Sequence, residues 1–98
     1  MRTIIVMKWG GVTPDQYEKI RKLANWEGDT PKGAVFHVAG FSNNALRVTD
    51  LWESQDDFNC FEQTRLMPAV AQTDIQGEPQ VEMLPVHAIY VPSLQNLT

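Results

Sequence analysis

Ninety-eight residues with a hydrophobic fraction of 43% make one domain, expected over 1–92 with a short tail over 93–98, and bury roughly 60 to 65% of the unfolded surface without disulfide staples. Eight basic residues against twelve acidic ones leave a formal charge of -4, and scattered lysines and arginines make nucleic acid an unsuitable partner, because neutralising phosphates needs a positive surface. No stretch has the length of a membrane-spanning helix, Ile4-Ile5-Val6-Met7 is too short for a signal peptide, and a lone Cys60 excludes an intramolecular disulfide and fits a reducing, cytoplasmic setting.

Residues 3 to 9 read as a strand rich in Ile and Val, ended by Gly10-Gly11. A helix follows: Thr13, Pro14 and Gln16 make a capping box with proline at the first helical position, and Tyr17, Ile20, Leu23 and Ala24 supply the apolar stripe. After the exit turn from Gly28 to Gly33, Val35–Gly40 and Leu46–Ser54 alternate as two hairpin strands joined by a loop over Ser42 to Ala45. Ser54 caps a second helix, where Asp56 and Asp57 complement the dipole and Phe58 and Phe61 turn inward. Cys60 is read as a packed thiol of that helix. Pro68 predicts a kink or change of helical character near Leu66-Met67. Gln80 to Val91 form a last strand interrupted by Pro85.

This order is that of an α+β, ferredoxin-like βαββαβ fold with a four-stranded antiparallel sheet. Two helices cover one sheet face. The other is expected to carry Ile5, Met7, Trp9, Val35, Val48, Trp52 and Ile89, too apolar for water, so a second copy should cover it sheet to sheet as a homodimeric barrel.

Gly33 through Gly40 with His37, then Val48-Thr49-Asp50-Leu51-Trp52-Glu53-Ser54, then Phe58 and Phe61, resemble the dimeric α/β-barrel superfamily that includes antibiotic-biosynthesis monooxygenase-like proteins. The resemblance spans nearly the whole chain and implies a homodimer, but not one activity, since oxygenases, haem enzymes, isomerases and proteins without known activity share the fold. Quinol-type monooxygenases of the superfamily commonly place a histidine on the second helix, where this chain has Phe61. Haem-degrading relatives add an asparagine on the first strand, and residues 3 to 9 contain none.

Counting back from Phe41 paired with Leu46 sets His37 opposite Asp50 and Val35 opposite Trp52. His37 and Asp50 are thus the candidate catalytic pair, the carboxylate fixing the imidazole tautomer. Trp52, Val35, Val48 and Met7 are the candidate substrate wall, with His87 joining them if the last strand keeps its phase through Pro85. A plainer reading makes His37 and His87 core or interface residues and gives Asp50 a backbone amide or a partner's arginine. No cofactor is expected: Gly10-Gly11 lacks the rest of a P-loop, and no paired His or Cys spacing supports a metal on His37, Asp50 and His87. Three functions compete: an enzyme acting on a small planar or lipophilic molecule, as a monooxygenase without cofactor; a non-catalytic metabolite-binding or structural dimer; and haem binding through His37 or His87.

Overall fold

The computed structural model describes residues 1–93, so the expected tail lies outside the described residues from position 94 on. In chain order the elements are β1 (Thr3–Gly10), α1 (Pro14–Ala24), β2 (Ala34–Ser42), β3 (Ala45–Trp52), α2 (Gln55–Phe61), α3 (Met67–Val70) and β4 (Gln80–Pro85). A π-helical turn over Glu62–Leu66 joins α2 to α3. The strands form one antiparallel sheet in the order β2-β3-β1-β4, a ferredoxin-like α+β fold.

Local chemistry accounts for the boundaries. Thr13 Oγ1 accepts the amide of Gln16 at 3.1 Å while Gln16 Oε1 accepts the amide of Thr13 at 2.9 Å, closing the predicted capping box. Asn25 ends α1 in the left-handed conformation, φ 52°, and donates its amide to Arg21 O. In the β2–β3 hairpin Ser42 pairs with Ala45, so the connection is a two-residue turn, not the expected four-residue loop. Asn43 and Asn44 both take positive φ, as a turn matched to strand twist requires, and asparagine tolerates it. The predicted change near Pro68 occurs as the π-turn just upstream: proline cannot donate an amide and crowds the preceding turn, and the wider turn relieves both.

Two further expectations are corrected. The last strand ends at Pro85, not Val91: after Val86 donates its amide to Arg2 O at 3.0 Å, Ile89, Tyr90 and Val91 are exposed coil. The sheet faces are also exchanged. Ile5, Met7 and Trp9 of β1 with Val48 and Trp52 of β3 lie under the helices, against Ile20, Ala24, Phe58 and Phe61. The opposite phase carries Lys8 and Arg47, cross-strand neighbours that stay exposed. Sealing those cations under helices without counter-ions would cost on the order of several kcal/mol each, so the helices take the face bearing the indoles, where the buried polar residues are Asp50 and Thr3.

Candidate functional site

The hairpin register places the first two functional side chains. Ala34 pairs with Trp52 and Phe36 with Leu51, leaving Val35 as a bulge, so the expected Val35–Trp52 pairing is replaced by Ala34–Trp52. Past the bulge His37 pairs with Asp50, as counted from the turn. His37 Nδ1–H donates to Asp50 Oδ1 at 2.6 Å, and Trp52 Nε1–H donates to Asp50 Oδ2 at 3.2 Å. Both carboxylate oxygens are thereby engaged in a side chain only 11% exposed, whereas the His37 ring keeps 32% of its surface. A charge so enclosed needs these donors.

Tyr17, on the first turns of α1, completes the set. Its hydroxyl lies 2.8 Å from His37 Nε2, with the two ring planes nearly parallel at 2°. Burial pushes the Tyr17 phenol's pKa up; Arg21 opposes the rise, and Glu18, Asp50 and Glu27 add to it. Trp26, in the loop after α1, leans over His37 at 5.1 Å between centroids. That loop is tied down by Arg65 of the π-turn, whose guanidinium donates to Ala24 O at 2.6 Å, Asn25 O at 3.0 Å and Asp29 O at 2.8 Å. Sequence reasoning counted Tyr17 only in the apolar stripe; the available signal was that a tyrosine there carries a hydroxyl in need of a partner.

These groups open onto a cavity of about 220 Å³ between sheet and helices. Met7, Val48 and Trp52 form its floor, Tyr17 and Trp26 one side, Phe58 and Phe61 the other, with Val35 at the bulge. Its lining residues lie on the helix-covered side of the sheet, not on the open face. An engineered apolar cavity of about 150 Å³ holds benzene, so this one has room for a somewhat larger ring system. Trp9 also belongs to the wall, and its buried Nε1–H has no hydrogen-bond partner among the described residues.

His87 does not join them. It is exposed and lies beyond Pro85, where sheet pairing has stopped, so the His37, Asp50 and His87 set is not assembled. Among the described residues no group of three or more His, Cys, Asp or Glu side chains is gathered for a metal. Cys60 is exposed, since Phe58 and Phe61 take the inward face of α2, which corrects the packed-thiol reading. No helix among the described residues is long and apolar enough to cross a membrane.

No protein-family model and no curated protein matches the chain. Solved structures do match. A monooxygenase from the gene ActVA-Orf6 of Streptomyces coelicolor, in complex with nanaomycin D, superimposes with a TM-score of 0.61 at 18% identity, covering 93% of this chain and 92% of that one. SnoaB, a cofactor-independent oxygenase from Streptomyces nogalater, gives a TM-score of 0.64 at 13% identity over 90% of this chain and 94% of its own. A protein of unknown function from Nitrosomonas europaea gives 0.68 at 17% identity over 93% and 94%. The chain thus has the fold of the antibiotic-biosynthesis monooxygenase-like proteins.

Proposed function

We propose that this protein binds a small, planar, lipophilic phenol or enol in the cavity and deprotonates it for reaction with dioxygen, as a monooxygenase that needs no cofactor. The observation that carries this reading is the His37–Asp50 pair, bonded at 2.6 Å, on the wall of an otherwise apolar cavity. A base held in one tautomer beside a low-dielectric space is suited to taking a proton from a hydroxyl. The resulting anion is electron-rich enough to react with oxygen. At an activated ring methylene, one oxygen atom becomes a carbonyl and the other leaves as water, so the substrate supplies all the electrons. Trp52 and Phe61, with ring centroids 5.4 Å apart, offer an aromatic surface for the ring. A cofactor-independent oxygenase among the structural neighbours supports the reaction class.

The test is oxygen consumption by the purified protein over a panel of quinols and phenols. Uptake with at least one of them is expected, reduced about 100-fold or more in His37→Ala. Equal uptake by that variant removes the base. A second reading, a non-catalytic metabolite-binding dimer, is favoured by Phe61 standing where the resemblance puts a histidine, and ligand binding without oxygen uptake would establish it.

The functional unit in this proposal is a homodimer. Phe36, Leu51, Ile4 and Leu84 form one continuous apolar row across the open sheet face; the next row is mixed, Val38, Thr49, Val6 and Glu82, and Arg47, Lys8 and Gln80 form a polar row beyond it. A two-fold axis near the apolar row buries it against its own copy and leaves the cations at the rim. Sedimentation equilibrium should return twice the 11.1 kDa chain mass, and Val38→Lys should return the monomer. A wild-type monomer at the same concentration contradicts the assembly.

A further inference from the structure

We infer that the group touching the substrate is the Tyr17 hydroxyl, and that His37 and Asp50 act behind it as the end of a proton relay. The inference rests on the proposed deprotonation and assigns its contact atom. Both ring nitrogens of His37 are already engaged, Nδ1 with Asp50 at 2.6 Å and Nε2 with Tyr17 Oη at 2.8 Å. A ligand hydroxyl therefore reaches His37 only by displacing Tyr17. The Tyr17 oxygen, having donated its hydrogen to Nε2, still has lone pairs to accept another. Tyr17 also lines the cavity.

The step conserves atoms and charge. The substrate O–H breaks as a new O–H forms on Tyr17, while the original Tyr17 O–H breaks and an N–H forms on His37 Nε2. The products are a substrate anion, a neutral tyrosine and an imidazolium held between Asp50 and Tyr17. No heavy atom has to move. With the base free, the phenol donates to Nε2; once Nε2 is protonated, it donates to the phenol oxygen, whose hydrogen turns toward the substrate oxygen. The same two contacts serve both states. Burial keeps Tyr17 in its neutral, relaying form. Trp26 packs against the imidazole at 5.1 Å between centroids with its plane tilted by 54°.

This arrangement also selects the ligand. A hydroxyl must sit on the ring edge facing α1, because Tyr17 is carried by α1 while the floor is formed by the sheet. Planar molecules lacking a hydroxyl at that edge would bind without ionising.

The probe is 4-nitrophenol, whose anion is coloured and whose binding is followed separately by quenching of tryptophan fluorescence. In the wild type the bound probe should ionise more readily than in Tyr17→Phe or His37→Gln, by about tenfold or more in the ratio of anion to neutral phenol at one pH. Tyr17→Phe keeps the ring that meets Trp26 and Phe41, so it should still bind the probe. Loss of the effect in both variants, with binding retained, supports the relay. An effect kept in Tyr17→Phe but lost in His37→Gln overturns Tyr17's place and leaves His37 as the direct base. Absence of binding or of any effect in the wild type overturns the relay together with the proposed deprotonation.

Discussion

An Asp50→Asn protein is expected to remain folded and to lose about 100- to 10,000-fold in turnover of a phenolic substrate. The carboxylate accepts from two donors at once, His37 Nδ1–H and Trp52 Nε1–H. An amide offers one acceptor and one donor group to the same pair. With its oxygen turned to Trp52, its NH2 meets His37 Nδ1 and drives the imidazole proton to Nε2, where no further proton can be taken. With its oxygen turned to His37, two donors oppose each other at Trp52, at a cost of about 1–3 kcal/mol. The first arrangement is favoured, and it abolishes the base while preserving the shape. Kinetics beside a urea titration separate the two effects. A variant with wild-type turnover would mean that the carboxylate does not set the tautomer.

Phe58→Ala should be the most damaging single truncation of the core, at about 3–5 kcal/mol. Phe58 is 1% exposed and its ring meets Trp52 edge-on at 5.6 Å between centroids. It also belongs to the cavity wall, so the space left by the ring adds to an existing void, and the core has no means of closing over it. For a domain of this size each kcal/mol shifts the melting temperature by about 4–8 °C, so a fall of roughly 12 °C or more is expected. Thermal unfolding followed by circular dichroism measures it, and a fall of only a few degrees would show that the site collapses.

The hairpin was the most legible part of the chain. Alternation from the Asn43-Asn44 turn back to His37 and Asp50 survives a change of loop length, because both counts keep Phe41 opposite Leu46. The Val35 bulge left no such mark, since a β-branched residue in a strand reads the same paired or unpaired. The choice of covered face was harder. Ile4 and Val6 are as apolar as Ile5 and Met7, so β1 alone is symmetric, and the discriminating residues are Lys8 and Arg47 on one phase against Trp9 and Trp52 on the other. Once that choice is reversed, α1 lies over His37, and Tyr17 is brought to its free nitrogen. No spacing rule connects residues 17 and 37; the contact depends on how a helix crosses a sheet. His87 failed for a local reason, because Pro85 ends the pairing that would have carried it inward.

The most direct test of the site is a crystal structure of the protein with a bound planar hydroxyquinone. The ring should lie inside a single chain, between sheet and helices, against Trp52 and Phe61, with its hydroxyl within hydrogen-bond distance of Tyr17 Oη. A ring bound on the open sheet face, or seated in the cavity with its hydroxyl turned away from Tyr17 and His37, would contradict it.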